Sequence, residues 1–248
     1  MSDIAFFHWT ELDRTSFAEF RDRILRFEQG GVVPHEARSY AGFPSIALDR
    51  VRPRLIGSLD RVLVARRCHR ALGTGLPDRR ALSRILRFAH GVHANRARGP
   101  VPSAGGLQAL ELYLVPLSAG WLEPGAYHYD RAGHHLSRVS EGEGRDEWAT
   151  RVPSMAQFAG ASLLWIVVGD GRRVERKYGG RGFRFLLLEA GHLMQNLCLL
   201  SESLGWCTIP LGGFLEQDVA RALSLPSGDL VLYLGACGRP EPGTEGGE

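Results

Sequence analysis

Four apolar side chains near the start, Phe17, Phe20, Ile24 and Phe27, recur at helical spacing, with Asp13 or Thr15 as candidate caps and Gly30-Gly31 as a stop. That pattern predicts one helix. From Val32 to Gly57 the periodicity dissolves into a Pro-bearing, Arg-rich stretch that keeps many apolar residues. A free linker would hold fewer, so the stretch reads as an extended arm lying over the main body. Ser58 caps a short helix leading into RRCHR at 66–70. A second helix has Pro77 in its first turn, Leu82, Ile85, Leu86 and Ala89 as its apolar stripe, and Gly91 at its close.

LELYLV (110–115) has the composition of a strand, and GAYHYDRAGHHLSRV reads as a hairpin turning at Asp130-Arg131-Ala132-Gly133. A helix is expected around Asp146–Arg151. The continuous apolar run SLLWIVVG (162–169) predicts a buried central strand. A long helix from about Gly182 to Leu204 is apolar nearly all round, so it must be buried on several faces, inside a domain or against a partner subunit. Its polar exceptions, Glu189, His192 and Asn196, are expected on one stripe. A short strand at Trp206–Ile209, a tight turn over 210–213, a helix from Leu215 to Leu223 and a strand from Leu230 to Ala236 follow. Strands alternate with helices without an uninterrupted βαβ series, which predicts an α+β fold with a mixed β-sheet flanked by helices. The expected organisation is a helix and arm over 1–57, one domain over 58–238, and a disordered polar tail over 239–248.

Composition changes this picture in one place. At 248 residues and 44% hydrophobic the chain can bury a sizeable core, and a net charge of +3 argues neither for nucleic acid nor for a membrane surface as partner. The apolar stretch 183–200 is interrupted by Arg184, Glu189, His192, Gln195 and Asn196, too polar for a spanning helix. No signal peptide is evident, and the four cysteines show no CxxC spacing, so free thiols in a reducing cytoplasm are expected. The departure is among the basic residues. Lys177 is the sole lysine among 30 Lys and Arg residues. Arginine does not lose its proton at working pH, whereas a partly buried lysine can. Lys177 is then either the last lysine of a drifting composition or an amine kept for titratable work. It lies in a basic run, Arg172, Arg173, Arg176, Arg181 and Arg184 against Glu175, which suits a solvated surface or a loop against an anionic ligand.

Several chemistries are excluded by motif. There is no GxxxxGK[ST], no dinucleotide GxGxxG and no GxSxG. His90 and His93 have no HExxH context and read as surface histidines. His134-His135 read as solvated at a hairpin turn, and His192 as a hydrogen-bonded core residue. No metal site is predicted. Three clusters remain that suit an anionic, planar cofactor. Arg66, Arg67 and Arg70 can make bidentate phosphate contacts, Pro102-Ser103-Ala104-Gly105-Gly106 offers a hydroxyl and unhindered amides, and Leu211-Gly212-Gly213 offers approachable backbone.

In this order, RRCHR, PSAGGLQALELYLV, GAYHYDRAGHHL, RKYGGRGFRFLLLEAGHLMQNL and LGWCTIPLGGF resemble the nitroreductase fold, and within it the azoline dehydrogenases (the SagB/McbC-type thiazole and oxazole oxidases). The resemblance covers about residues 60–240. It implies a homodimer with FMN at the subunit interface and the long helix in the dimer core. Arg66, Cys68 and Arg70, with Arg67 beside them, would lie at the FMN phosphate and ribityl chain. Pro102, Ser103 and Gly106 would approach from the partner subunit, Gly212 and Gly213 would offer N–H near flavin N5, and Arg239 would reach the phosphate. Cys68 stands where the pattern usually has serine, and Gly106 where general nitroreductases often carry asparagine. The branch's catalytic pair is present as Lys177-Tyr178.

The implied reaction removes a proton and a hydride from a thiazoline or oxazoline ring of a ribosomally made peptide, with flavin taking the hydride. Lys177, crowded by Arg172, Arg173, Arg176 and Arg181, would be the general base and Tyr178 would orient the ring or relay the proton. A cyclodehydratase complex is a further expected partner. Two alternatives stay open: an NAD(P)H-dependent FMN reductase of nitro or quinone compounds, and a flavin-free scaffold subunit of a peptide-modifying complex.

Overall fold

The computed structural model describes residues 12–30, 38–53, 58–92 and 98–241. Helix α1 (Arg14–Gln29) is capped by Asp13, whose carboxylate accepts from the Ser16 amide while the Ser16 hydroxyl accepts from the Asp13 amide. Strand β1 (Ser45–Ala47) follows within the arm, then α2 (Leu59–Ala65) with Ser58 as its cap, and β2 (Leu72–Gly73). Helix α3 (Arg79–Ala89) is capped by Asp78, so Pro77 precedes the cap and is not in the first turn as expected. A 3-10 turn (Ala104–Gly106) leads to β3 (Leu110–Pro116), and β4 (Gly125–Asp130) and β5 (His135–Glu141) form the hairpin. Then come α4 (Arg145–Arg151), β6 (Leu163–Asp170), α5 (Gly171–Tyr178), α6 (Arg181–Glu202), β7 (Cys207–Leu211), α7 (Glu216–Ala222) and β8 (Asp229–Pro240).

The sheet runs β1-β5-β4-β3-β6-β8-β2, with β7 also on β8, and every pairing among the described residues is antiparallel. Strands β3 and β6 are buried on both faces, which explains their near-continuous apolar runs. Their alternating side chains feed two cores. Leu110, Leu112, Leu114, Trp165 and Val167 face α3, α5, α6 and the apolar stripe of α1. Tyr113, Val115, Leu164, Ile166 and Val168 face Trp148 of α4 and Val219 of α7. The α+β class with helices flanking a sheet is as the sequence predicted.

The arm is anchored at two points. Strand β1 pairs antiparallel with β5, and on the second core face Arg38 and Tyr40 both reach the Tyr113 hydroxyl, at 2.9 and 2.7 Å. Arg38 also forms an ion pair with the fully buried Asp229 carboxylate at 2.6 Å and stands 4.0 Å from Glu111, which is paired with His128 at 3.0 Å.

Besides the position of Pro77, four further expectations are corrected. Strand β8 runs through Arg239 and Pro240, paired with Gly73 and Leu72, so these two residues belong to the sheet and not to a disordered tail. Residues 242–248 and His93 lie outside the described residues. His90 is buried, with Nε2 3.1 Å from the Leu110 carbonyl, because it closes a helix whose stripe faces the core. His134 is half-buried, bonding the Tyr129 hydroxyl and the Asp49 carbonyl. His192 is exposed. At roughly 100° per residue, a step of seven keeps Glu189 and Asn196 on nearly the same face, whereas a step of three rotates His192 off it by about 60°.

Candidate active site

Strands β3 and β6 are antiparallel with Leu110 opposite Gly169, so the chain entering β3 and the chain leaving β6 lie at the same end of the sheet. The first is the PSAGGLQ loop and the second is α5, capped by the Asp170 carboxylate on the Arg173 amide. The Asp170 amide bonds the Ala109 carbonyl at 2.8 Å, and Arg173 reaches both the Gln108 carbonyl (2.8 Å) and Asp170 (3.1 Å). This stitching brings the loop onto the last turn of α5, where Lys177 and Tyr178 sit.

Both residues of the pair are buried, Lys177 at 7% and Tyr178 at 8% exposure. Gly105, with φ +55, lies directly against them. A Cβ there would overlap the Tyr178 hydroxyl and stand 2.9 Å from Lys177 Nζ. Tyr178 is also stacked on Phe20 of α1 and edge-on to Phe185 of α6, and burial pushes its phenol above the usual tyrosine range. The charged group on Lys177 is Glu28 of α1, 3.0 Å away, rather than the arginine run. Arg173 is turned to Asp170, Arg181 lies over the Phe185 ring, and Arg172 runs along Gly228. Phe27 packs its ring 5.5 Å from Nζ.

The loop itself is held by Glu189, whose carboxylate accepts from the Ala104 amide at 2.6 Å. Burial raises the Glu189 carboxyl above the ordinary range, against the opposing pull of its bonds to Ala104 and Ser103 and of the Arg131 charge. The Ser103 hydroxyl is turned inward to accept from the Gln108 amide at 2.8 Å. Pro102 is exposed, and Gly106 has φ +70.

The second cluster gathers at the other end of α6. The RRCHR segment packs there: the Cys207 thiol donates to the Arg67 carbonyl at 3.3 Å, and Glu202 feels His69, Arg66 and Arg67. The pairing of Gly73 with Arg239 brings Arg239 to the same segment, its guanidinium 5.0 Å over the Trp206 ring. Among the described residues, none of Arg66, Arg67, Arg70 and Arg239 has a carboxylate within ion-pair distance, and Cys68 is exposed. Gly212 and Gly213 are exposed after β7, and a Cβ at Gly212 would meet nothing. From Glu189 to Glu202 is about 20 Å along α6, so the two clusters stand well apart within one chain. Leu187 and Leu188 of α6 and Leu59, Leu63 and Val64 of α2 are exposed.

Sequence reasoning missed the contacts of Glu28 and Glu189, and it read Gly105 only as approachable backbone within its cluster. Glu189 had a signal, as a carboxylate on an otherwise apolar helix, and Gly105 stood inside a quoted motif. Glu28 had none, being 149 positions from its partner.

The Nitroreductase family sequence profile matches residues 63–239. The chain belongs to the nitroreductase family. A Methanocaldococcus jannaschii protein that carries a provisional nitroreductase name is 33% identical over 174 residues, 70% of this chain and 88% of that protein. The microcin B17-processing protein McbC of Escherichia coli is 25% identical over 135 residues, 52% of this chain and 49% of McbC. Among solved nitroreductase-fold structures, an Anabaena variabilis protein aligns with TM-score 0.69 and 22% identity, over 94% of this chain but only 45% of that one. A chain of the E. coli microcin synthetase McbBCD complex with truncated pro-MccB17 bound aligns with TM-score 0.60 and 19% identity, over 97% of this chain and 98% of that one. Nitroreductase-family proteins are oxidoreductases that typically bind flavin. Among the described residues no helix is long and apolar enough to cross a membrane, and no group of His, Cys, Asp and Glu is placed to hold a metal.

Proposed function

We propose that this nitroreductase-family protein is an FMN-dependent azoline dehydrogenase, oxidising thiazoline or oxazoline rings of a ribosomally made peptide to thiazoles or oxazoles. The observation that carries the reading is the buried Lys177-Tyr178 pair pressed against Gly105 of the PSAGGLQ loop. A sequestered amine beside a phenol has an evident duty in removing a carbon-bound proton. The similarity to McbC, a processing protein for a peptide, supports the same substrate class, and a cyclodehydratase complex is the corresponding partner.

The donor set fits FMN. Arg66, Arg67, Arg70 and Arg239 are guanidiniums with no carboxylate within ion-pair distance among the described residues, suited to a phosphate, with Cys68 beside them for the ribityl chain. Gly212 presents open backbone, and Gly213 beside it is exposed with its carbonyl accepting from the Ser154 amide. When bound, FMN would supply the hydride acceptor that no side chain provides. The roughly 20 Å between the arginine cluster and the PSAGGLQ loop along α6 supports a site completed across a homodimer, with Pro102, Ser103 and Gly106 contributed by the second subunit. The exposed leucines of α6 and α2 would be covered by that contact. In this arrangement Lys177 takes the ring proton next to the carbonyl, Tyr178 orients the ring, and the packing of Phe20, Phe27 and Phe185 keeps water away.

The 33% identity to a protein named as a nitroreductase favours a second reading, NAD(P)H-dependent reduction of nitro or quinone compounds. The visible spectrum of the purified protein, followed by addition of NADH or NADPH, separates the two. A bound flavin that NAD(P)H leaves oxidised, while an azoline peptide bleaches it without oxygen, supports the dehydrogenase. Rapid bleaching by NAD(P)H with no response to azoline supports the reductase.

A further inference from the structure

A general base must lose its proton before it can take another. Lys177 is enclosed by Gly105, the Tyr178 ring, the Phe27 ring and Glu28, and it is only 7% exposed. Of these neighbours, Glu28 alone is both within hydrogen-bond reach at 3.0 Å and open to water, with 52% of its side chain exposed. Glu28 belongs to α1, which is fastened over the pair independently of this bond, by Phe20 on Tyr178 and by the packing of Ile24 and Phe27 on the core. The carboxylate is therefore delivered to the amine by a packed helix.

We infer that Glu28 is the positioning residue and proton outlet of Lys177, making α1 part of the active site. The inference rests on the azoline dehydrogenase reading. The ring C–H bond breaks and its proton adds to the Lys177 amine, while FMN, when bound, would be the acceptor for the ring's hydride. The resulting ammonium passes one proton to the Glu28 carboxylate, which releases it to water. Lys177 and Glu28 thereby return to their starting state, and each turnover exports one proton. The hydrogen bond from Nζ to Glu28 Oε1 also holds the amine in its place against Gly105, the geometry on which proton abstraction depends.

The test compares Glu28→Ala, Glu28→Gln and Glu28→Asp on FMN-loaded full-length protein. The expected result is a kcat at least about tenfold lower for Ala and Gln with KM within about twofold, partial recovery in Asp, and restoration of much of the Ala loss by added formate. A second readout needs no substrate. Because Lys177 is the only lysine, an acylating reagent followed by peptide mass spectrometry reports its amine alone, apart from the N-terminus. Removing Glu28 is expected to raise that acylation rate about tenfold, since an unpartnered amine is freer to react. A kcat within twofold of wild type in all three variants overturns the inference. So does a loss that neither Asp nor formate restores, or an unchanged acylation rate. If the wild-type protein oxidises no azoline, the functional reading fails, and a rise in acylation on removing Glu28 still supports the coupling of Glu28 to Lys177.

Discussion

Gly105 and Tyr178, 73 positions apart, pack so closely that the glycine backbone forms one wall of the tyrosine hydroxyl's pocket. Only glycine serves there, because φ is +55 and a methyl group would displace both the phenol and the Lys177 amine. Gly105→Ala is expected to lower kcat by about 100-fold, as misplaced catalytic groups do. The left-handed backbone adds roughly 1 kcal/mol of strain, a fall in melting temperature of about 3 °C. Steady-state kinetics beside calorimetry checks this. A large loss of stability with kcat intact would place Gly105 in the fold and not in the site.

Glu189 gives a pH-dependent prediction. Its carboxyl is raised in the folded protein, chiefly by burial, so the fold binds that proton more tightly than the unfolded chain does. Its stabilising contribution is present below the ordinary carboxylate pKa and is lost as pH rises through the raised value. Glu189→Gln keeps an acceptor for the Ala104 amide but carries no charge. The variant should melt close to wild type near pH 4 and about 2 °C higher near pH 7.5. A difference that does not change with pH, or that falls as pH rises, contradicts this assignment.

The arginine cluster predicts the behaviour of FMN. Arg239→Ala and Arg70→Ala should each weaken FMN binding by about 10-fold or more, read from flavin fluorescence on titration. The wild-type affinity should also fall with added salt, because exposed guanidiniums are screened. Leu188→Asp on the exposed face of α6 should lower the dimer fraction in sedimentation and the retained FMN together. Loss of dimer with full flavin retention would show that one subunit suffices.

Much of this fold was legible where one physical cause dominates. The stripe Leu82, Ile85, Leu86, Ala89 and the run SLLWIVVG report burial directly, and Asp13, Ser58 and Gly30 act where capping chemistry requires them. The proposed base, Lys177, stood out in the composition as the one lysine among arginines, and Tyr178 entered only through the family resemblance. What surrounds it was not. Glu28 and Glu189 are ordinary glutamates whose roles come from tertiary contacts with Lys177 and Ala104, and no local period records such contacts. The arginines beside Lys177 misled, because adjacency along α5 fans side chains around the helix instead of gathering them on one atom. His192 misled for a related reason, a three-residue step that leaves the buried face.

The central claim is tested most directly by the mass of an azoline-containing peptide after incubation with the FMN-loaded protein in air, run beside Lys177→Ala. The account predicts loss of two hydrogens per ring with the wild-type protein, and a rate lower by about 100-fold or more with Lys177→Ala that keeps its flavin. An unchanged peptide mass with flavin-loaded wild-type protein, or full activity in the Lys177 variant, would contradict it.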